Sequence, residues 1–194
     1  MRIAFAIPGF PIDRTSIEGR QVRKIIDTCA RRVGSVRYHP GAAVFTIDRA
    51  FHPRSSKREN AFALEILLAA LCALDRLWLI YNPCAVPLLH DSGIYYANTE
   101  VWETIPALYA RGWGDCKSLS ACLIAEFRQR GIWCRPAFRF QGDPSATMFH
   151  ILVMLEDGSW SCPSADLGMN AIQEQPGYGI PGNSPGGYAY GYSY

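Results

Sequence analysis

The chain has 194 residues, which suits one compact domain, and 49% of them are hydrophobic, which is enough for a folded core. Its formal net charge is only +2, so the total excludes neither an acidic nor a basic partner. Residues 1–60 carry 12 basic and 5 acidic side chains, whereas residues 61–194 carry 7 and 12. No motif of a nucleic-acid-binding fold accompanies this basic first third, so we interpret it as a solvated face and do not expect a nucleic-acid partner.

In chain order, the first half of the sequence predicts a strand, a helix, a hairpin and a second, long helix. Pro8-Gly9 ends the strand, Gly34 ends the first helix, and Asn82-Pro83 ends the second. A more irregular stretch follows over 84–98. The expected bounds of the four elements are 2–7, 17–32, 36–48 and 61–79.

The second half predicts helical turns within 100–109, then a longer helix followed by strands. Apolar residues repeat at helical spacing from residue 115 or 116 to about residue 130. Strands are expected over 132–140, over 149–155 and from 159 onward, with a turn at 141–144 between the first two. Asp157-Gly158 indicates a two-residue hairpin turn before the last strand. These elements together predict an α+β fold.

The final stretch, 176–194, has almost no aliphatic residues and is rich in Gly, Tyr and Pro. Such a segment cannot bury enough apolar surface to offset the entropy of ordering it. We expect a flexible tail after a single domain of residues 1–175, with tyrosines through which the tail could contact an assembly partner.

One segment, 61–81, is long and apolar enough to be considered as a membrane span. It contains Glu65, Asp75 and Arg76, whose charges are costly at mid-bilayer. The sequence therefore predicts a buried helix and no membrane association.

The seven cysteines are an odd number, and none forms a Cys-x-x-Cys pair. We therefore expect neither a zinc site nor a disulfide framework, and no other cofactor. The apolar run after Met1 ends at Pro8, too short for a signal peptide, and free thiols are typical of a reducing compartment. We expect a cytoplasmic protein.

One cysteine and one histidine lie at positions where the predicted elements favour catalysis. Cys116 begins the helix predicted to end near residue 130, and His150 opens a strand expected to pack on that helix. Unpaired amides at a helix N-terminus favour the thiolate, which is the nucleophilic form, and they can also stabilise an oxyanion. Lys117 adds a positive charge, and His150 could accept the thiol proton. A small buried cysteine at a helix start is the alternative for Cys116, and the cysteines on apolar helix faces are expected in the core.

Residues 111–120 read RGWGDCKSLS, followed by Gly131-Ile132 and by His150 at the start of an apolar strand. This order resembles the core of the transglutaminase-like superfamily, over about residues 100–169. The resemblance implies a papain/transglutaminase-like core whose Gly-Asp-Cys nucleophile begins a helix packed on an antiparallel sheet. Residues 163–169 read PSADLGM, which is similar to small bacterial and bacteriophage members and implies a hydrolase of the thiol-protease type.

The catalytic triad of that superfamily includes an Asp that orients the His, commonly just before the Pro; here that position holds Cys162. Asp166 is the only Asp after the expected hairpin. If Asp157-Gly158 are the central turn residues, Asp166 is one residue from the position facing His150. We therefore name Asp166 as the third catalytic residue, with Ser164, a backbone carbonyl or no third member as alternatives.

An oxyanion donor besides the Cys116 amide should come from upstream in the sequence. By analogy of position, Trp102 and Asn98 are candidates. Trp113, between two glycines, is expected to form a wall of the site.

Two classes of function remain open. In the first, the chain is an enzyme that forms a thioester on Cys116 from a peptide or side-chain amide. It then passes the acyl group to water, or to an amine as an acyltransferase; we expect hydrolysis of a protein or peptide substrate. In the second, it is a non-catalytic assembly or binding protein of a bacterium or bacteriophage, incorporated in a virion or bound to a partner through its tail.

Overall fold

The fold is known from a computed structural model that describes residues 2–11, 15–39, 43–48, 57–141 and 148–169. Over these residues it is α+β, as predicted, with five α-helices and nine strands in three small sheets. The tail expected over 176–194 and most of the turn expected at 141–144 lie outside the described residues.

The bounds of the elements follow the sequence patterns closely in both halves of the chain. In chain order the elements are β1 (Arg2–Ala6), α1 (Ile17–Val33), β2 (Ser35–His39), β3 (Val44–Asp48), α2 (Lys57–Tyr81), β4 (Tyr95–Tyr96), β5 (Trp102–Glu103), α3 (Ile105–Arg111), β6 (Trp113–Gly114), α4 (Cys116–Gln129), β7 (Cys134–Gln141), β8 (Met148–Leu155), β9 (Trp160–Ser161) and α5 (Pro163–Asp166).

The N-terminal strands form a four-stranded sheet in the order β2-β3-β1-β5. β2 and β3 are the predicted antiparallel hairpin, and β1 pairs antiparallel with β3 and parallel with β5. The rings of Phe5 and Phe45 stack across this sheet, with Trp102 beside Phe5. The sheet therefore anchors β5, and with it the segment that leads to Cys116.

Helix α2 is the long apolar helix that the sequence predicts, but it begins four residues before the expected position 61. It packs on both α1 and α4. Asp75 on α2 is fully buried and accepts a 2.7 Å hydrogen bond from the backbone N–H of Ile105, at the start of α3. No helix in the described ranges is long and apolar enough to cross a membrane.

Helix α4 lies at the centre of the C-terminal half, between α2 and the antiparallel sheet β7-β8-β9. Every residue from Cys116 to Glu126 is buried. Ile151 and Val153 of β8 share the hydrophobic core with α4, whereas Leu152 between them does not. The two faces of β8 therefore differ: Ile151 and Val153 face the core with α4, and His150 lies on the other face with Leu152.

The turn between β8 and β9 differs from the sequence prediction. Leu155 N–H donates to Ser159 O at 2.9 Å, so three residues, 156–158, form the turn instead of the two predicted. Gly158 has φ +83°, the left-handed value that a three-residue hairpin turn requires. The sequence-based register is therefore wrong by one residue, and each side chain of β9 points to the face opposite to the one expected.

Candidate functional site

Cys116 is the first residue of α4, as predicted, and Asp115 caps the helix. The Asp115 carboxylate accepts a 3.0 Å hydrogen bond from the backbone N–H of Lys117. The Lys117 ammonium in turn binds the same carboxylate and donates to the carbonyl oxygen of Thr99 at 2.8 Å. These contacts fix the first turn of α4 and pair its Lys117 N–H, whereas the Cys116 N–H has no acceptor within the helix.

Among the described strands, none pairs with the edge of β8 beside this helix start. Val153 pairs with Ser161 of β9, but Pro163 then turns the chain into α5, so β9 ends before it reaches Ile151. Cys116 and Ser120 of α4 fill the gap. The N–H of Ile151 faces the Cys116 sulfur and favours its thiolate, and the Ser120 hydroxyl donates to the Ile151 carbonyl at 3.2 Å.

The imidazole of His150 contacts a second thiol. His150 Nε2 lies 3.1 Å from Cys162 Sγ, and the ring is half-buried. The observed hairpin register explains this contact, because it brings Cys162 opposite Leu152 and onto the same face as His150. Cys162, at the sequence position where an orienting Asp was expected, is therefore a direct contact of the His150 ring.

Asp166 lies elsewhere. Its carboxylate Oδ2 is 3.3 Å from His90 Nε2, and both side chains are largely exposed. The expectation that Asp166 orients His150 depended on β9 pairing as far as that residue, but the chain forms α5 from Pro163 and the Asp166 carboxylate contacts His90 instead. Ser164, the alternative named above, is fully buried, and its hydroxyl has no hydrogen-bond partner among the described residues.

The protonation states in this site are those of a neutral resting pair. Burial, followed by the Asp115 carboxylate, raises the pKa of Cys116 to about 11, against the lowering expected at a helix N-terminus. Burial and then the charge of Arg139 lower the pKa of His150. In the described part of the chain no hydrogen bond joins the Cys116 thiol to His150. At neutral pH both groups are therefore uncharged.

Tyr96 is a residue of this site that the sequence analysis missed. β4 and β6 form a parallel ribbon in which Tyr96 faces Gly114. Burial raises the pKa of Tyr96 to about 12, with Cys116, Asp115 and Cys162 as further contributors in that order. Both thiols therefore lie near the Tyr96 ring. The only sequence signal was the Tyr95-Tyr96 pair, because the pairing of β4 with β6 is not local.

The three candidates for oxyanion donor or site wall lie in different surroundings. Asn98 is exposed, follows β4 alongside the start of α4, and its Oδ1 accepts a 2.8 Å hydrogen bond from the Tyr96 hydroxyl. Trp102 is 3% exposed within the N-terminal sheet and packs on core aromatics. Trp113 is half-buried, with the Arg111 guanidinium 4.5 Å from the centre of its ring. Asn98 is thus held by Tyr96 and follows Ala97, whose N–H donates to the carbonyl of Gly114 at 2.9 Å, two residues before Cys116.

All seven cysteines are free thiols, and the described residues contain no cluster of His, Cys, Asp and Glu that could hold a metal ion. The chain matches no protein-family profile, no curated protein and no solved structure.

Proposed function

We propose that this chain is a transglutaminase-like thiol enzyme that attacks peptide or side-chain amides and hydrolyses the resulting thioester, as a peptidase or amidase. One observation carries the proposal: the thiols of Cys116 and Cys162 lie near each other, at Ile151 and His150 of the same strand. Cys116 lies at the N–H of Ile151, the residue after His150, and Cys162 contacts the Nε2 atom of that His150.

The proton transfers follow from this arrangement. With Nε2–H donated to Cys162, the Nδ1 atom of His150 is free to accept a proton. His150 takes the proton of Cys116 as the thiol attacks the amide carbonyl, then gives it to the leaving amine. In the second step His150 deprotonates water, which attacks the thioester and returns the thiol. The lowered pKa of His150 keeps the base neutral and ready at physiological pH.

The oxyanion formed at the attacked carbonyl needs donors near Cys116. The backbone N–H groups of the first turn of α4 have no intrahelical acceptors and supply the first of these donors. The side-chain amide of Asn98 supplies another, because Tyr96 holds its oxygen and leaves its NH2 group available. This interpretation favours Asn98 over the buried Trp102.

The acyl acceptor depends on whether water or an amine reaches the thioester. We favour water, because the resembled small members are hydrolases, and an amine acceptor would make the chain an acyltransferase instead. The finer fold assignment, a papain/transglutaminase-like core, is supported by Cys116 at a helix start packed on an antiparallel sheet. A protein or peptide substrate in the cytoplasm remains our expectation.

The direct test uses p-nitrophenyl acetate, an activated ester that acylates nucleophilic thiols. We expect a burst of p-nitrophenol and an acetyl group on Cys116, located by peptide mass spectrometry. Cys116→Ala and His150→Ala should abolish the burst, whereas Cys29→Ala, which changes a remote thiol, should leave it. A burst that persists in Cys116→Ala would contradict the proposal.

A second candidate function is a non-catalytic assembly or binding protein that keeps this fold. Two observations favour it: the orienting carboxylate is replaced by Cys162, and burial keeps Cys116 strongly protonated. It predicts that Cys116 has the reactivity of an ordinary or shielded thiol and that His150→Ala does not change that reactivity. In this case we propose that the protein is part of a virion or binds a partner through residues 176–194.

A further inference from the structure

The face of the β7-β8-β9 sheet that carries His150 also carries two arginines. In the β7–β8 register Arg139 is directly opposite His150, and Arg135 is directly opposite Met154. Side chains directly opposite each other in an antiparallel pair point to the same face, with their Cβ atoms about 5 Å apart. Arg139 is thus the nearest cation to the proposed base along the sheet.

The two arginines have different surroundings. Arg135 donates to Met154 Sδ at 3.8 Å and lowers the pKa of Glu65, so an acidic group lies nearby. Arg139 is exposed and, within the described ranges, forms no ion pair. Burial and then the charge of Arg139 lower the pKa of His150, whereas burial raises the pKa of Cys162 and Arg139 opposes this only weakly. Arg139 is therefore a cation without a described counter-ion, directly opposite His150 in the sheet.

A cation at this point opposes the proposed reaction. His150 must become an imidazolium when it takes the thiol proton, and the guanidinium of Arg139 makes that form less stable. A negative charge delivered with the substrate would neutralise Arg139 and remove this penalty. A carboxylate also fits the planar, forked donors of an arginine better than any neutral group does.

We propose that Arg139 binds a carboxylate of the substrate, so that the amide attacked by Cys116 lies within about one residue of an acidic group. This rests on the proposed function and names its substrate class. Two groups of a substrate would supply this carboxylate: an acidic side chain, or the free carboxylate at the end of a chain. Bound in this way, it both orients the substrate and favours proton transfer to His150.

The test uses matched alkylating reagents that differ only in charge. Iodoacetylglycine and iodoacetyl-aspartate α-amide carry a terminal and a side-chain carboxylate, and iodoacetylglycinamide and iodoacetyl-asparagine amide are their neutral counterparts. Within each pair, the rate of alkylation by the anionic reagent is divided by the rate with the neutral reagent. At low ionic strength we expect this ratio to be roughly fivefold higher at Cys116 than at free cysteine, for at least one pair. Added salt should reduce the excess.

Arg139→Gln should return the ratio to that of free cysteine, while Arg135→Gln, its matched control on the same face, should leave it unchanged. The pair that shows the excess identifies the source of the carboxylate. An equal ratio in the wild-type chain and in Arg139→Gln would overturn the inference.

A second measurement keeps the inference testable if Cys116 is unreactive, which would count against the proposed function instead. The pKa of His150 is measured by NMR with N-acetylglycine or N-acetyl-aspartate α-amide present, and with their neutral amides. We expect at least one anion, but neither amide, to raise this pKa in the wild-type chain and not in Arg139→Gln. No anion-specific rise in the wild-type chain would show that Arg139 does not bind a carboxylate there.

Discussion

The imidazole of His150 on β8 and the thiol of Cys162, which directly follows the neighbouring strand β9, lie 3.1 Å apart. Burial raises the pKa of Cys162, so this thiol is neutral and stabilises an imidazolium less than a carboxylate would. The proposed base is thus held in orientation without the negative charge that usually accompanies it. The first prediction follows from this difference.

Cys162→Asp should increase the alkylation rate of Cys116 at pH 6–7 by about tenfold, because a carboxylate stabilises the imidazolium that pairs with the Cys116 thiolate. Cys162→Ala should lower the rate below that of the wild-type chain, because Nε2 of His150 loses its partner. Rates are measured with iodoacetamide, and the alkylated residue is located by mass spectrometry. If Asp and Ala behave alike at position 162, the contact with His150 has no role in orientation.

Asp166→Ala should leave the reactivity of Cys116 unchanged, because the Asp166 carboxylate contacts His90 and not His150. The pair is exposed, so its loss should change the free energy of unfolding by less than about 1 kcal/mol. Urea denaturation and the alkylation assay measure the two effects. A large loss of reactivity would restore Asp166 as the third catalytic residue.

Asp75 makes stability depend on pH. Burial is the main cause that raises the pKa of this carboxyl well above its ordinary value, and the N–H of Ile105 partly opposes it. Its contribution is therefore fully present below the unfolded-state pKa of about 4 and is lost as pH rises toward the folded-state pKa. Unfolding free energy should fall over this window.

Asp75→Asn should remove this dependence, because the amide keeps an acceptor for Ile105 and cannot ionise. We expect the variant to be more stable than the wild-type chain at pH 8 by roughly 1 kcal/mol or more, and similar to it at pH 4. Urea denaturation at both values measures this. Glu103 is also buried and has a raised pKa, but it forms an ion pair with Arg111. Glu103→Gln, which should lose this ion pair, serves as a comparison for Asp75→Asn. Identical pH profiles for the wild-type chain and Asp75→Asn would contradict the assignment.

Gly114 packs closely against α3. A Cβ atom at this position would lie 2.5 Å from Leu108 Cδ1, a fully buried side chain. Gly114→Ala should therefore destabilise the fold by about 1–3 kcal/mol, the usual cost of overpacking a core. In a Leu108→Ala background the same change should cost less, and the difference is the coupling between the two sites. Additive losses would mean that the clash is relieved elsewhere.

The helix that carries Cys116 could be predicted from sequence because its signals are local. Asp115 caps it, its apolar residues repeat at helical spacing, and Gly131 follows its end. The α+β class and the long helix α2 were predictable for the same reason. These features depend on neighbours within a few positions along the chain.

The partner of His150 could not be predicted, because it depends on the conformation of one glycine. With Gly158 in the left-handed region, the turn has three residues, and Cys162 moves to the face of His150. Asp-Gly is compatible with both turn lengths, so the sequence leaves the register open. Tyr96 was missed because a parallel pairing across 17 residues of chain leaves no periodic pattern.

The central claim is that His150 activates Cys116. The most direct measurement is the pH dependence of iodoacetamide alkylation at Cys116, in the wild-type chain and in His150→Ala, with each adduct located by mass spectrometry. We predict that the wild-type chain reacts at pH 7, far below the pKa of about 11 that burial and Asp115 give the thiol, because neutral His150 accepts its proton, and that His150→Ala loses this reactivity. Alkylation that requires strongly alkaline pH in both proteins would contradict the account and favour the non-catalytic function.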